Sequence, residues 1–422
     1  PPQSTTLPSL LVSKTDAKVD GLFVPHCNFG TEYEVCRLAK KLNVPVLLWG
    51  PRDECPDENG MRLRDSQCGL FATGKVLRRF GIPFTYLKNC NLEDECFAEG
   101  IDRFLRVCNV VKAFRNTRVL QISTRPFDFW STMCNEGELL EKFGIQLSPI
   151  PMPELTQAMK DVKENSPEEI KEVTDYCREK MCIKVTPEQL DNVAALKIAM
   201  TRLGKKYGCN CGAIQCWNAL QDEIGIMPCA ANALCNDEGF PIACETDIHG
   251  TITSVLVEAA AMGETRSFFA DWTVRHPYND NAELLQHCGP WPISIAKEKP
   301  TIDTPVAFDC SGSLMAQAKD GEHISLVRFD GDNGEYSLLL GNAKTVDGPY
   351  TKGTYMWVEV ENLDRLEDKL VQGPYIHHCV GVHQDVVPVL YEACKYIGVT
   401  PDLYDPIEEK VKAIIRGEKV EK

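Results

Sequence analysis

The sequence predicts a multi-domain α/β protein whose last part turns to β structure, and three observations lead there. At 422 residues the chain exceeds one ordinary core, so two or three domains are expected. Short apolar runs alternate with helix-patterned segments through the first part of the chain, the mark of a parallel sheet covered on both faces. After about residue 300, strand-like runs are separated by Gly and Asp clusters, an antiparallel pattern compatible with a small barrel or a sandwich.

Residues 19–24 (VDGLFV) are short and apolar and read as a buried strand ending in the polar turn His26-Cys27-Asn28-Phe29-Gly30. Residues 32–42 are helical in pattern and 44–49 (NVPVLLW without its Asn) form the second strand, followed by the loop Gly50-Pro51-Arg52-Asp53. A helix over 69–81, a third strand over 82–87 and a helix over 98–114 complete the first unit. Residues 118–122 (RVLQI) open a second unit, with a helix over 136–143. Residues 153–206 are helix-rich and charged. Ser166-Pro167 and Thr186-Pro187-Glu188-Gln189 are helix starts, the latter with capping-box spacing. Strands return at 213–217 and 241–244. The β-rich part predicts strands over 304–309, 323–329, 335–340 and 354–360, then a helix over 386–396.

Composition narrows the function classes. The chain is 43% hydrophobic and 25% charged, as globular proteins are, and its net charge of −16 disfavours a nucleic-acid partner. No apolar run reaches the roughly 18 residues that span a bilayer, so no membrane partner is expected. The opening PPQSTTLPSL has neither the basic start nor the apolar stretch of a signal peptide, so a cytoplasmic location is expected. The 20 cysteines then read as reduced thiols. Cys209, Cys211, Cys216, Cys229 and Cys235 match no zinc or iron–sulfur spacing and read as small buried hydrophobes. No dinucleotide fingerprint, P-loop, nucleophile elbow or H-E-x-x-H is present.

Chemistry concentrates in two places. In Pro241-Ile242-Ala243-Cys244-Glu245-Thr246-Asp247-Ile248-His249-Gly250 a short strand runs into two carboxylates, and carboxyl ends of strands are where such sheets build sites. Alternation along the strand would aim Glu245 and Asp247 the same way. The competing interpretation is an acidic helix start. The second place is late: His377, His378 and His383, with His287 upstream in Gln286-His287-Cys288-Gly289. Carboxylates with imidazole suit a divalent cation such as Mn²⁺.

Three segments, ETDIHG (245–250), FFADWTVRHP (268–277) and HHCVGVHQDVVPVLYEACKYIGVTP (377–401), resemble in content and order those of the L-fucose/L-arabinose isomerase family. VLLWGPRD (46–53), DSQCGLF (65–71), TRPFDFWSTMCNEGELLEKFGI (124–145) and HCGPWP (287–292) resemble shorter relatives of that family. The resemblance implies two Rossmann-like parallel-sheet α/β domains (1–116 and 117–300) and a β-rich, small-barrel C-terminal domain (301–422). It also implies a Mn²⁺-dependent aldose–ketose isomerase of a monosaccharide, working through a cis-enediol as a homo-oligomer, trimer or hexamer. The family holds its metal with a Glu, an Asp and a His. Asp247 matches the Asp, and His378 the His, with His377 as its alternative. Counted spacing gives Glu223 for the Glu, while local pattern places that position near Cys229. On this basis Asp247 and Glu223 are the expected proton-transfer residues.

Sugar hydroxyls need polar groups and an apolar face. Gln215 and Trp217 offer both at a strand end, and His26, Asn28, Arg52, Ser66 and Gln67 lie at the N-terminal strand ends. Of these, Gln215, Trp217, Arg52 and Gln67 form the expected substrate set with Arg125 and His287. Arginines there would suit a carboxylate, phosphate or sulfonate on the sugar. Two other readings stay open: an epimerase, aldol-type or transfer enzyme on the same scaffold, and a metal-free sugar-binding protein.

Overall fold

The structure, a computed structural model, describes residues 19–305 and 309–420. Its described residues divide into two compact units, the first made of 19–112 with Pro388–Gly398 and 407–420, the second of those in Ala113–Val387 and Val399–Pro406.

The first unit is built on a parallel sheet of β1 (Leu22–Pro25), β2 (Val46–Trp49) and β3 (Thr85–Tyr86), in that order. All four β2 residues are buried, as expected of the middle strand in a covered parallel sheet. The helix Glu32–Leu42 carries Glu32 and Glu34 in its first turn and Lys40 and Lys41 in its last, matching its dipole, and stops at Asn43 in the left-handed conformation. Helices Ser66–Arg79 and Glu95–Arg115 follow. The late helix Val387–Ile397 closes the unit: Thr85 Oγ1 donates to Glu392 Oε1 at 2.6 Å and meets the Tyr396 hydroxyl at 2.8 Å, all buried.

The second unit holds a four-stranded parallel sheet in the order β5-β4-β7-β8, with β4 Arg118–Ile122, β5 Gln146–Ile150, β7 Cys211–Ile214 and β8 Ile242–Ala243. Helices Met152–Asn165, Pro167–Lys180 and Pro187–Tyr207 share one core with it, through residues such as Leu155, Val193, Leu196 and Ile214. Thr186 forms the capping box its spacing predicts, with Gln189 bonded in both directions. Ser166 does not cap by its side chain; its hydroxyl instead accepts from Arg202 Nη2 at 2.8 Å. The segment 136–143 is one α turn continued as a π-helix.

The rest of the unit is one large mixed sheet. Its strands are β6 (Cys182–Ile183), β9 (Phe268–Arg275), β10 (Ala282–His287), β11 (Thr301–Asp303), β12 (Ser313–Gln317), β13 (Ile324–Asp332), β14 (Glu335–Val346), β15 (Thr354–Glu359), β16 (His378–Val382) and β17 (Thr400–Asp405), in the order β17-β14-β13-β16-β9-β10-β15-β12-β11-β6. A further β14–β15 pairing closes β14, β13, β16, β9, β10 and β15 into an antiparallel ring around Phe268, Leu285, Leu326, Leu339, Met356 and Cys379. The hairpin β13–β14 turns on Asn333-Gly334, both with positive φ, as a tight primed turn requires. The ring recruits β9 and β10 from upstream of residue 300, where the sequence pattern does not mark the β-rich part as beginning. The strand expected over 304–309 includes residues 306–308, which lie outside the described residues.

Between the two sheets runs the helix Ile248–Ala260, buried on all sides apart from Glu258. A helix apolar all round must be covered all round. Its N-terminal end, at the carboxyl end of the parallel sheet, is where the polar side chains converge.

One buried acid in the ring predicts a pH effect on stability. Burial pushes the Glu283 carboxyl on β10 up to about 7 from 4.5, with Glu367 adding to it against Arg275. The native state therefore binds more protons than the unfolded chain between these values, and stability falls as pH rises from about 4.5 to about 7. The loss is at most ~3 kcal/mol. Glu283→Gln should flatten the profile of melting temperature against pH and raise it above pH 7; an unchanged slope would refute this.

Candidate active site

The residues that converge come from the carboxyl end of β8 in the parallel sheet and from β9, β10, β13 and β16 of the large sheet. β8 stops at Ala243, and Glu245 and Thr246 then both adopt left-handed backbone, φ 51° and 52°, before Asp247 starts the helix. Two consecutive non-glycine residues in this region are strained. The strand alternation expected for Glu245 and Asp247 therefore does not hold, and the two carboxylates reach opposite sides of the His378 ring. Asp247 caps the helix, its Oδ1 accepting from Gly250 N at 2.9 Å, so the helix-start interpretation applies to Asp247.

Asp247 does more than cap. Arg328 on β13 forks onto it, Nη1 to Oδ2 and Nη2 to Oδ1, the latter at 3.1 Å. Oδ2 also meets His378 Nδ1 at 2.8 Å. Burial alone would raise this carboxyl; Arg328 and His378 outweigh it and hold it far below the usual carboxylate range. Arg328 continues to Asp330, whose Oδ1 lies 2.9 Å from His249 Nδ1.

The other face of His378 opens onto a second group. Its Nε2 lies 3.8 Å from Glu245 Oε2 and 3.5 Å from Asp271 Oδ1. His287 Nε2 lies 3.5 Å and 3.8 Å from the same two oxygens. Asp271 stands opposite His378 across the β9–β16 pairing, and His287 ends β10. Glu245, His287 and His378 offer ligand atoms within 4.8 Å of one another, and so do Asp271, His377 and His378. Burial opposes the charge on both partners, but the imidazoles hold Glu245 low, and Asp271 with Glu245 raises His287 to about 9.

Glu245 Oε2 and Asp271 Oδ1 are both buried without a hydrogen-bond donor. Leaving such oxygens bare costs the full desolvation of each. A divalent cation would satisfy both, and the oxygen and nitrogen donors match Mn²⁺ in type. The cysteines nearby, Cys216 and Cys244, touch the group only through Glu245. Cys216, Cys244 and Cys229 are all raised, Cys229 chiefly by burial, so these thiols stay protonated. In Cys216 and Cys244 their mutual hydrogen bond is the largest influence, lowering the first and raising the second.

Of the residues expected from sequence, the structure brings His287 and His378 into this group, with Asp247 behind His378. Glu223 is exposed on the short helix Ala219–Ile224 and belongs to none of the metal-capable groups among the described residues. Cys229 is buried at the start of the helix Cys229–Asp237. Trp217 stacks on Phe129, ring centroids 5.5 Å apart at 19°, and Phe129 in turn meets His377 and His378. Gln215 Oε1 accepts from Ser123 Oγ at 2.8 Å. Arg125 binds the carbonyls of Pro126 and Phe127 in its own loop. Arg52 and Gln67 are exposed in the first unit, where Asp53 accepts from the amides of Ser66 and Gln67. His26 is buried there too, and desolvation lowers its pKa.

Arg328, Asp330, Asp271 and the role of Glu245 were not singled out by sequence. The available signal was a lone Arg in the apolar run Ile324-Ser325-Leu326-Val327-Arg328-Phe329 and an Asp inside Phe268-Phe269-Ala270-Asp271-Trp272.

Comparison with known proteins gives two kinds of match. A profile described as fucose/sulfoquinovose isomerase, N-terminal domain, matches residues 7–115. The chain is 24% identical over 394 residues to the sulfoquinovose isomerase of Priestia aryabhattai, covering 92% of this chain and 86% of that protein. It is 24% identical over 357 residues to the sulfoquinovose isomerase of Alkalicoccus urumqiensis, covering 83% and 79%. A third such isomerase, from Clostridium sp. (strain MSTE9), matches over 279 residues at 24%, 65% of this chain and 61% of that protein.

Proposed function

We infer that the chain is a sugar isomerase of the fucose isomerase-like family, and we propose that it interconverts an aldose and a ketose with a bound divalent cation, Mn²⁺ by preference, through a cis-enediol. The observation that carries this reading is the pair of buried, donor-less oxygens of Glu245 and Asp271 facing the Nε2 atoms of His287 and His378. These four residues would hold the cation. Bound there, it would supply Lewis-acid polarisation of the carbonyl and offset negative charge developing on the sugar oxygens.

The chain's own groups do the rest. Isomerisation takes the proton from C2 and returns it to C1, while a second proton passes from the C2 hydroxyl to O1. Asp271, whose side chain is 27% exposed and so accessible to a sugar, is the proposed carrier of the carbon-bound proton. Burial lowers the pKa of His377, assisted by His378, so its imidazole is neutral near pH 7 and suits the oxygen-to-oxygen transfer. The stacked Trp217–Phe129 pair offers the flat apolar face that a sugar's C–H face packs on. The names of the curated relatives point to a sulfonated, acidic hexose, with Arg125 as the proposed partner for the anion. The same resemblance supports reading the enzyme as a cytoplasmic homo-oligomer, a trimer or hexamer. No helix among the described residues is long and apolar enough to cross a membrane.

The test is metal analysis of the purified protein, then stripping and reconstitution while product is followed by NMR with sulfoquinovose and L-fucose. About one divalent ion per chain and activity restored by Mn²⁺ are expected. Full activity of metal-free protein would remove the reading.

A further inference from the structure

Asp247 occupies the position that matches a metal-binding Asp, yet its oxygens are taken. Oδ1 accepts from Gly250 N and Arg328 Nη2, and Oδ2 from Arg328 Nη1 and His378 Nδ1. Four donors saturate the in-plane lone pairs of a carboxylate, so none is left for a cation. What Asp247 can do is fix a proton on His378 Nδ1 and hold the ring so that Nε2 faces Glu245 and Asp271.

The orientation of Asp247 is in turn set from one side. Arg328 is 1% exposed, and its guanidinium is shared between Asp247 and Asp330, reaching Asp330 Oδ2 at 2.9 Å. Asp330 is pinned by Gly331 N at 2.9 Å and by His249 Nδ1 at 2.9 Å. His249 sits one residue into the helix that Asp247 caps, so the chain His249–Asp330–Arg328–Asp247–His378 ties β13 to both ends of that turn and to β16. Two buried carboxylates around one buried guanidinium are stable only as a unit, because removal of the cation leaves both charges unpaired. The planar fork also fixes the plane of the Asp247 carboxylate, which an ammonium cannot do.

We propose that Arg328 is a positioning residue for the cation site: through Asp247 it sets the tautomer and ring plane of His378, and Asp247 acts through His378 rather than as a ligand. This rests on the metal-dependent reading above. The test is titration of Mn²⁺ into the full-length protein, free Mn²⁺ being read by electron paramagnetic resonance. Arg328→Lys should weaken Mn²⁺ binding by about 10–100-fold, the usual effect of losing a partner of a ligating histidine, with kcat recovering at saturating Mn²⁺. In a His378→Ala background the same substitution should add almost nothing, since its route to the cation is gone. Unchanged affinity in Arg328→Lys, or its full effect persisting without His378, would overturn the proposal. If the lysine variant does not fold, Asp330→Asn, which keeps the shape and drops the charge, should show the same pattern more weakly and is judged by the same two outcomes. Wild-type protein that binds no Mn²⁺ overturns the metal reading itself and this inference with it.

Discussion

Glu245→Gln is expected to release the bound cation and to lower turnover by well over 100-fold, while Glu223→Gln leaves both near wild type. The contrast follows from where the two side chains stand. Glu245 is wholly buried, with Oε2 lacking a donor and two imidazoles within 3.8 Å. Its carboxyl is held below the ordinary glutamate value against the pull of burial, by His287 first and His378 next, so it is charged at neutral pH. An amide keeps the shape but brings no charge, and its NH₂ can turn a donor toward the site. The expected loss exceeds the roughly 10–100-fold that follows removal of an outer partner, because a donor to the cation itself is lost. Glu223, exposed on its short helix, takes no part in the group. The measurement is metal per chain after gel filtration, with kcat/KM in excess Mn²⁺. Equal loss in both variants, or a Glu245→Gln enzyme that keeps its cation, would defeat the assignment.

This contrast also shows what the sequence made legible. The runs ETDIHG and HHCVGVH announced a site because acids and imidazoles stand out in apolar surroundings, and Asp247 and His378 do meet in the structure, with His287 beside His378. The geometry of Glu245 was hidden, since two left-handed residues at Glu245 and Thr246 carry no Gly or Asn to flag them. Counted spacing favoured Glu223, because a count assumes a regular path between the strands, and here a short helix and loop intervene. Arg328 was invisible for another reason: its partner Asp247 is 81 positions away, and strand pattern alone treats a lone Arg as an edge or surface residue. The parallel sheets were readable from local alternation. The strand pattern left barrel and sandwich both open, because the closing of six strands into a ring depends on the β14–β15 pairing, which no local pattern encodes.

Gly289→Ala is expected to damage both the fold and the site. Gly289 follows His287 and Cys288 and has φ 137°, a region that residues with a Cβ rarely adopt. A Cβ there would also lie 2.4 Å from Leu314 N and 2.6 Å from Leu314 O on β12. Both neighbours are backbone within a paired strand, so no rotamer change relieves the contact. Backbone strain and overpacking together should cost about 3 kcal/mol or more. For a unit of this size the melting temperature should fall by roughly 5–10 °C. Gly263→Ala is the control, because Gly263 has φ 71° but nothing within 4 Å of its would-be Cβ. It should lose only about 1 kcal/mol. The strain at Gly289 has a second consequence, because the only ways out are to shift β12 or to pull back the end of β10, which carries His287. Gly353 holds the other side of the same seam, where a Cβ would meet the His287 carbonyl oxygen at 2.4 Å. Gly289→Ala should therefore weaken cation binding as well as the fold, and Gly263→Ala should weaken neither site nor affinity. Two variants that melt together, with equal Mn²⁺ affinity, would mean that this seam yields easily and that His287 is not held by it.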